Sequence, residues 1–546
     1  MGLFEVKDDS AHKAPAAVYN WRVYVLALSA SMGSSMFGYD SAFIGGALAL
    51  PSFKARFGLA TAAGSELSDL KANIVSTFHT DFDFSDDRAG CFFGAIACYY
   101  LSEKLGRRIP LMICGAVFNV GVIMQLASDG EIGLIYAGRA FTGLGVGASS
   151  LIIPQYISEC SPPAIRGRLI GVFEILLQFS LVIGFWVNYG VNENMAPTSD
   201  SQWHVPFAIQ FIPGGLLIVA MYFQPESPRW LLKNGRDAQA IQNLTRIRDL
   251  PADDPYILWE VETCKEQLQR DSELGANDSF RKKLQAVFAP GIRNRLAIGM
   301  SLMMLQNLSG INALNYYSPS IFESIGFSGT SVGLLATGVF GLVKAFATLG
   351  FMIFGIDKFG RRKSLMFGSV GAIIAMFYLG GFTKVSGSFD RDIDRDAGAY
   401  VAIVMIYLFA IFYAVSWNGI PWIFCAEVYP TATRSICLVF TTCTQWLGQF
   451  TIVYSTPYMM DDIKWGTFIF FGCALVVAII FAILFMPETQ GLTLEDMDIL
   501  FNLSGLAHSK RAKTDEIIRE RRAAQEADAG DLKEDVEILE HGEKTL

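Results

Sequence analysis

Three charged side chains lie inside long apolar stretches, where an ionised group is costly. Asp40 and Arg139 each lie in a separate apolar run. Lys344 lies well inside the run from Leu334 to Ile356, too far from either end for its ammonium group to reach a membrane surface easily. Intramembrane charges cost several kcal/mol unless they are paired or hydrated, so they usually mark functional sites. We therefore expect Lys344 to face an internal cavity, to meet a carboxylate or to lose its proton; structural pairing with a neighbouring helix is the alternative.

The composition is that of a chain that crosses a membrane many times. Of its 546 residues, 52% are hydrophobic and 17% are charged, and the mean hydropathy is +0.36. A span needs about 20 mostly apolar residues, and roughly twelve such segments can be counted. The first is too long for the apolar part of a signal peptide, so we expect it to remain in the mature protein. We find no paired nucleophile and base, phosphate loop or metal-ligand spacing, which argues against an enzyme and predicts neither cofactor nor metal.

Basic residues concentrate in the loops that follow even-numbered segments. They include Lys104, Arg168, Lys358 and Lys363. Because Lys and Arg are enriched in short cytosolic loops, these loops and both chain termini are predicted to be cytosolic. The sequence thus predicts a multi-pass protein of the cell membrane.

Three charged signatures in the first half of the chain return in the same order in the second half. Glu103-Lys-Leu-Gly-Arg107-Arg108 returns as Asp357-Lys-Phe-Gly-Arg361-Arg362, Glu159 followed by Arg166 returns as Glu427 followed by Arg434, and Pro225-Glu226-Ser227 returns as Pro487-Glu488-Thr489. The shift is about 260 residues each time, which indicates a duplication. A duplicated chain of this kind predicts two six-helix halves that rock around a substrate site between them.

The fold class predicted is an all-α membrane protein with twelve transmembrane helices in two six-helix halves. We place an N-terminal cytosolic tail at 1–20, the first half at 21–224, cytosolic linker helices at 225–292, the second half at 293–488 and a C-terminal cytosolic tail at 489–546. One segment does not fit this division. The insert at residues 79–88 interrupts the second span with four aspartates, which cannot lie in hydrocarbon. We interpret it as an error in the gene model, with a real extracellular bulge as the alternative.

The repeated charges at the helix ends are candidates for a latch that closes the cytosolic side. Glu159 and Glu427 are placed to pair with arginines of neighbouring helices, and bidentate guanidinium geometry makes such pairs directional. The alternative is that the arginines anchor helix ends at lipid headgroups. The candidate latch residues are Glu103, Arg107, Arg108, Glu159, Arg166, Asp357, Arg361, Arg362, Glu427 and Arg434.

Several longer motifs together resemble the sugar porter family of the major facilitator superfamily, over about residues 20–500. They are Pro225-Glu-Ser-Pro-Arg229-Trp, Gly138-Arg139, Pro154-Gln-Tyr-Ile-Ser-Glu159, Gln306-Asn-Leu-Ser-Gly-Ile-Asn312 and Pro487-Glu-Thr-Gln-Gly491. Four further segments resemble fungal quinate permeases within that family. They are Tyr19-Asn-Trp-Arg-Val-Tyr24, Gly38-Tyr-Asp-Ser-Ala-Phe-Ile-Gly45, Phe185-Trp-Val-Asn-Tyr-Gly190 and Trp417-Asn-Gly-Ile-Pro-Trp422.

This resemblance implies roles for individual residues. Asp40 and Arg139 match the protonation site of proton-coupled members and its modulating arginine. The positions that match sugar-binding side chains are Gln178, Gln306, Asn307, Asn312 and Trp422. Tyr316 and Tyr317 match an extracellular gate. The chemistry agrees, since amides both donate to and accept from hydroxyl groups. Hydrogen bonding between helices is the alternative for one or two of the amides.

The function expected is proton-coupled uptake of quinate, a cyclic polyol carboxylate, by alternating access. Lys344 joins the predicted substrate site because a fixed cation suits a carboxylate, whereas a neutral hexose has no use for it. Proton-coupled or facilitated hexose transport is the alternative, and a non-transporting nutrient sensor is a further one. The partners expected are the small-molecule substrate, protons and the lipid bilayer, without nucleic acid, and the protein is expected to be a monomer.

Overall fold

The computed structural model describes residues 15–76, 90–162, 165–273, 280–327, 329–355, 359–389, 396–430, 433–490 and 497–520, the last range without 498, 502, 504, 506 and 508. Regular structure in these ranges is helical, in helices numbered α1 to α21 below. The insert at 79–88 and Asp357 lie outside the described residues, as do both ends of the chain.

The first half consists of nine helices, and all but the short α2 contribute to six spans. In chain order they are α1 Trp21–Ala47, α2 Pro51–Arg56, α3 Ser65–Ser76, α4 Gly90–Leu105, α5 Arg108–Leu126, α6 Ile132–Cys160, α7 Arg166–Asn194, α8 Ser201–Ile209 and α9 Phe211–Phe223. One span is built from the consecutive helices α8 and α9. We take α3 and α4 together as another, although the residues that connect them lie outside the described ranges. Asn20 caps α1, because its side chain accepts a hydrogen bond from the backbone N–H of Arg22 at 2.8 Å.

Four helices link this half to the second. They are α10 Pro228–Lys233, α11 Asp237–Arg248, α12 Pro255–Glu273 and α13 Phe280–Val287. The linker is fixed to the first half by Arg248, which donates to the carbonyl oxygen of Cys160 at 2.8 Å and pairs with Glu260. Asn20 also donates to the carbonyl oxygen of Ile247 at 2.9 Å, so the start of α1 and the linker lie on the same side of the membrane.

The second half repeats the six spans. Its helices are α14 Ile292–Leu308, α15 Ile311–Ser324, α16 Thr330–Phe354, α17 Arg361–Ser386, α18 Ala397–Ala414, α19 Ile420–Val428, α20 Arg434–Asp462 and α21 Gly466–Phe485. Here α14 with α15 and α18 with α19 are consecutive pieces of single spans. We call the side on which Arg107 and Arg361 lie the basic side, and the other the opposite side.

Many of the described helices have the length and apolar composition needed to cross a bilayer. Nine continuous spans among them are long and apolar enough to cross it, with lengths of 18 to 29 residues. Three more spans, α1, α3 with α4, and α14 with α15, complete the twelve. Large apolar side chains such as Val219, Phe367 and Ile374 are exposed on the outside of the bundles, where lipid covers them.

The breaks inside two spans of the second half place polar groups at membrane depth. Between α14 and α15 the chain turns at Gly310, whose φ of 89° is easily adopted only by glycine. Between α18 and α19 the backbone carbonyls of Trp417 and Asn418 accept hydrogen bonds from a side chain rather than from the next turn of helix. Interrupted helices of this kind typically surround substrate sites in transporters.

The two halves meet mainly at four pairs of helices, and α20 also touches α6. Helix α1 packs on α15, α7 packs on α16, and α20 packs on both α3 and α4. The approach is closest at Gly45, where an added Cβ would lie 2.2 Å from the carbonyl oxygen of Tyr316. Only glycine allows α1 and α15 to come this close on the opposite side of the membrane.

Candidate functional site

Asp40 and Arg139 form a fully buried ion pair between α1 and α6. Arg139 Nη1 donates to Asp40 Oδ1 at 2.9 Å, and both side chains have no exposed surface. The second carboxylate oxygen, Oδ2, is buried and has no hydrogen-bond donor among the described residues. The guanidinium also lies 5.9 Å from the ring centre of Phe43. The structure thus brings the two sequence-predicted charges together and leaves one carboxylate oxygen available for a proton.

Two of the predicted amides converge on Asn418. From α7, Gln178 donates to the side-chain oxygen of Asn418 at 3.3 Å. From α14, Gln306 donates to the backbone carbonyls of Trp417 at 2.7 Å and Asn418 at 3.1 Å. The Oε1 atoms of Gln178 and Gln306 are buried without a donor among the described residues. Each therefore offers an acceptor that a substrate hydroxyl group would satisfy.

The other two amides form a second cluster beside the break at Gly310. Asn312 donates to Asn307 Oδ1 at 2.6 Å, and Asn307 donates to Gln445 Oε1 at 2.8 Å. Asn307 also donates to the carbonyl of Met303 at 2.8 Å, so its hydrogen-bonding groups are occupied within the protein. This arrangement makes Asn307 a support for Asn312; its direct contact with substrate stays a prediction.

Trp422 lies one turn after Asn418 and is partly buried. Its position on α19 is compatible with the predicted ring contact to a cyclic substrate, which stays a prediction. Trp417 has a structural role instead, because its indole N–H donates to Ser369 Oγ at 2.9 Å and fixes the break before α19 to α17.

Lys344 lies on α16 with 3% of its surface exposed. Its Nζ atom is 3.4 Å from Asn315 Oδ1 and 5.8 Å from the ring centre of Tyr413. It forms no ion pair within 4.0 Å with a described carboxylate, although it interacts electrostatically with Glu174 at longer range. The ammonium group is therefore internal, as the sequence predicts, and it is stabilised by an amide and a ring rather than by direct pairing.

The predicted gate tyrosines lie on α15 and are buried. Tyr316 donates to Ser41 Oγ of the other half at 3.1 Å and accepts from Gln449 at 3.0 Å. Tyr317 donates to the carbonyl of Val453 at 3.1 Å, and its φ and ψ of −120° and 20° kink the helix. The Tyr316 to Ser41 contact joins the two halves on the opposite side of the membrane, whereas the contacts with Gln449 and Val453 lie within the second half. Beyond them lies a cavity of about 170 Å³ lined by Lys54, Lys71 and the two tyrosines.

On the basic side, the candidate latch residues of the first half form a network with one another and with the start of the linker. Arg107 Nη2 pairs with Glu159 at 3.0 Å, and Ser227 donates to the same carboxylate. Glu226 accepts from the backbone N–H groups of Arg107 at 2.8 Å and Arg108 at 3.2 Å. Burial raises the pKa of the Glu226 carboxyl above its usual value, although these backbone donors act against the rise. The preceding Gly106 allows this cap, because a Cβ there would lie 2.4 Å from Glu226.

The second half repeats this network. Arg361 Nη2 pairs with Glu427 at 2.9 Å, and Thr489 donates to Glu427 at 3.1 Å. Glu488 accepts from the backbone N–H groups of Arg361 at 2.8 Å and Arg362 at 3.0 Å. Each of these contacts thus has a counterpart in the first half, as expected from the duplication of the charged signatures.

The remaining latch candidates have varied surroundings. Glu103 pairs with Lys233 of the linker and lies 3.7 Å from Arg107. Arg434 donates to the carbonyl of Tyr429 at 3.1 Å. Arg166 forms no ion pair within 4.0 Å among the described residues, and Asp357 lies outside them. The pairs found here lie within one half or join it to the linker, so the latch function itself stays a prediction.

Sequence reasoning missed four polar residues that complete the site. Asn418, Gln445, Gln449 and Ser41 each bond to a predicted residue. The available signal was an amide or hydroxyl inside an apolar run, which is too common in membrane helices to single out these four.

Two duplicated six-helix bundles enclose buried amides and internal charges, and interrupted helices lie beside them; this arrangement defines a secondary transporter of the major facilitator fold. The chain matches the family model "Sugar (and other) transporter" over residues 26–501 and belongs to that family. The predicted family and fold class are therefore confirmed. The relatives carry transporter names, so the protein is a transporter rather than an enzyme.

Relatives are found among fungal proteins and solved bacterial transporters. The chain is 40% identical to the quinate permease of Neurospora africana over 99% of this chain and 100% of that protein. It is 41% identical to the quinate permease of Emericella nidulans over 95% of each. The solved proton:xylose symporter XylE, bound to 6-bromo-6-deoxy-D-glucose, superposes with a TM-score of 0.71 at 26% identity, covering 88% of this chain and 99% of that one. A partially occluded, inward-open structure of XylE from E. coli gives a TM-score of 0.70 at 25% identity, with 87% and 100% covered.

Proposed function

We propose that the protein carries quinate, a cyclic polyol carboxylate, together with protons across the plasma membrane by alternating access. The observation that carries this proposal is the buried ammonium group of Lys344, which lies in the same internal site as amides with unused acceptors. Similarity to quinate permeases over nearly the whole chain supports the same substrate.

The two parts of quinate have separate partners in this proposal. Lys344 binds the carboxylate, because a charge-assisted hydrogen bond at a buried position is strong and directional. Gln178 and Gln306 bind the hydroxyl groups through their unused Oε1 atoms. Asn312 and Trp422 complete the site as a further amide and as an apolar ring face.

Asp40 is the proton carrier in this proposal. Its Oδ2 atom is buried and accepts no hydrogen bond from the part of the chain that the structure describes, whereas Oδ1 accepts one from Arg139. A proton on Oδ2 weakens the attraction to Arg139, which lets α1 and α6 separate. Ser41, the residue after Asp40, accepts a hydrogen bond from Tyr316, the predicted gate residue. Protonation of Asp40 and opening of the gate are therefore linked through one turn of α1.

The charge distribution supports the proposed orientation, and the location of the site within one chain supports a monomer. The basic side, with both latch networks and the linker, faces the cytosol together with both termini. The opposite side, with Tyr316 and Tyr317, faces the exterior. The site lies within one chain, so a monomer is sufficient for transport.

Hexose transport is the second candidate. It is favoured by the structural similarity to XylE, whose solved structure holds a bromodeoxyglucose. A neutral hexose would make no charge-assisted hydrogen bond with Lys344, which is the reason we prefer quinate.

Uptake by the purified protein in proteoliposomes tests the proposal. Labelled quinate should accumulate above its external concentration when the exterior is acidic, and accumulation should stop when a protonophore collapses the gradient. A nutrient sensor would bind quinate without accumulating it. Accumulation of glucose but not quinate would reject the proposed substrate, and quinate accumulation that persists without a gradient would reject symport.

A further inference from the structure

Glu174 is a membrane-embedded carboxylate that the proposed transport cycle does not use. It lies on α7 eight residues after Arg166, about 12 Å from the start of the helix on the basic side. Its Oε1 atom accepts from Gln178 at 2.7 Å, one turn further along the same helix. Glu174 is therefore next to the substrate amides rather than at the membrane surface.

Glu174 also joins the two halves. Asn418 of the second half donates to Glu174 Oε1 at 2.6 Å, and the same amide nitrogen lies 3.4 Å from Thr348 Oγ1. Thr348 follows Lys344 by one turn on α16. The bridge thus connects the carboxylate of α7 to the face of α16 that carries the ammonium group. It lies between the amides and the basic side, whereas the Tyr316 to Ser41 contact lies beyond them on the opposite side.

Glu174 and Lys344 do not form a direct ion pair within 4.0 Å, but the bridge through Asn418 to Thr348 brings them near enough to interact electrostatically. Around them the described groups are neutral: Gln178 and Asn418 at the carboxylate, and Asn315 and Tyr413 at the ammonium group. With few other charges nearby, each ion depends on the other for compensation inside the membrane. Helices α7 and α16 pack closely enough for this, since a Cβ at Gly341 would lie 2.7 Å from the ring of Phe185.

We propose that Glu174 is the resident counter-ion of Lys344 in the empty site and that the substrate's carboxylate takes its place. Two carboxylates cannot share one ammonium group without repulsion, so binding drives Glu174 away from Lys344 and weakens its bridge to Asn418. Glu174 is thereby a positioning residue that determines specificity, because only a substrate with a carboxylate can displace it. Its displacement also links substrate binding to separation of the halves on the basic side. This inference rests on the proposed carboxylate substrate.

The test compares quinate with its neutral methyl ester on purified protein. Dissociation constants are measured by calorimetry, and KM and maximal uptake rate are measured in proteoliposomes. Glu174→Gln should bind quinate about tenfold more tightly, because the resident competitor is gone, and should transport it with a lower KM and a lower maximal rate, because release slows. Methyl quinate binding should not change. Glu174→Asp, which keeps the charge, should resemble the parent, as should Glu193→Gln on the exposed end of α7.

The double variant Glu174→Gln/Lys344→Gln removes both charges and leaves no uncompensated ion, so it keeps the test valid if the single variant is unstable. It should bind quinate no better than methyl quinate. Retained preference for quinate in the double variant, or unchanged or weaker quinate binding in Glu174→Gln, would overturn the inference. Failure of the proposed function is a different result: the parent protein would accumulate no quinate. In that case a gain of quinate binding in Glu174→Gln would still support the counter-ion role, and no gain would overturn it.

Discussion

Tyr316 of the second half donates a hydrogen bond to Ser41 of the first half at 3.1 Å, and Ser41 directly follows Asp40. The contact of the predicted gate residue Tyr316 and the buried carboxylate therefore lie on the same turn of α1. Asn418 and Glu174 make the matching contact on the basic side at 2.6 Å. The substrate amides lie between these two contacts, each of which joins the two halves.

The close approach of α1 and α15 predicts a variant that cannot close the gate. Gly45→Ala would place a Cβ 2.2 Å from the carbonyl oxygen of Tyr316 and force the helices apart. We expect uptake to fall at least about tenfold while quinate binding persists. A cysteine introduced at Ser320, which lines the adjacent cavity, should react faster with an impermeant maleimide in this variant. Gly190→Ala, where a Cβ has open space, is the control, and equal reactivity in both variants would contradict the prediction.

Replacement of Asp40 tests the proposed proton carrier. Asp40→Asn retains the shape of the side chain but cannot release and rebind a proton, so accumulation against a gradient should be abolished while exchange of internal for external quinate continues. Counterflow and gradient-driven uptake of labelled quinate distinguish the two activities. Glu131→Gln, an exposed carboxylate change, should leave both intact. Full gradient-driven accumulation by Asp40→Asn would contradict the assignment.

The two latch networks should differ in their contribution to stability. Arg107 and Glu159 have side-chain exposures of 5% and 8%, against 11% and 30% for Arg361 and Glu427. Removal of one partner from a buried pair costs about 3 to 5 kcal/mol, and less where water reaches the remaining charge. Arg107→Gln should therefore lower the thermal unfolding midpoint more than Arg361→Gln, and both variants should transport more slowly than the parent.

Quinate binding measured on the same preparations separates the latch from the substrate site, because binding should persist in both variants. Parental transport rates at parental expression in both would show that the arginines are not a latch. Equal unfolding midpoints would contradict the argument from burial.

Much of the fold could be predicted from the sequence because charge and hydropathy patterns are local. The duplication was visible in Glu159 and Glu427. In the structure each carboxylate pairs with the equivalent arginine of its own half and accepts a hydrogen bond from the equivalent hydroxyl group. The pairing of Asp40 with Arg139 was likewise foreseeable, because two buried charges of opposite sign stabilise each other.

The organisation of the site around Asn418 could not be predicted from the sequence. Asn418 is uncharged and lies in a break between α18 and α19, so its partners on α7, α14 and α16 are set by the packing of the two halves. The position of Glu174 in the sequence, near the start of an apolar run, fits either a helix-end anchor or a cavity residue. The structure favours the cavity, because its partners are Gln178 and Asn418.

The central claim is that Lys344 selects a carboxylate substrate, and a competition series tests it most directly. Uptake of labelled quinate by the parent and by Lys344→Gln is measured against unlabelled quinate, shikimate, glucose and xylose. Lys384→Gln is the control, since its ammonium group lies over Trp465 at 4.2 Å, away from the site. We predict that quinate competes best with the parent and with the control, and that it loses this advantage in Lys344→Gln. Glucose as the best competitor of the parent would contradict the account.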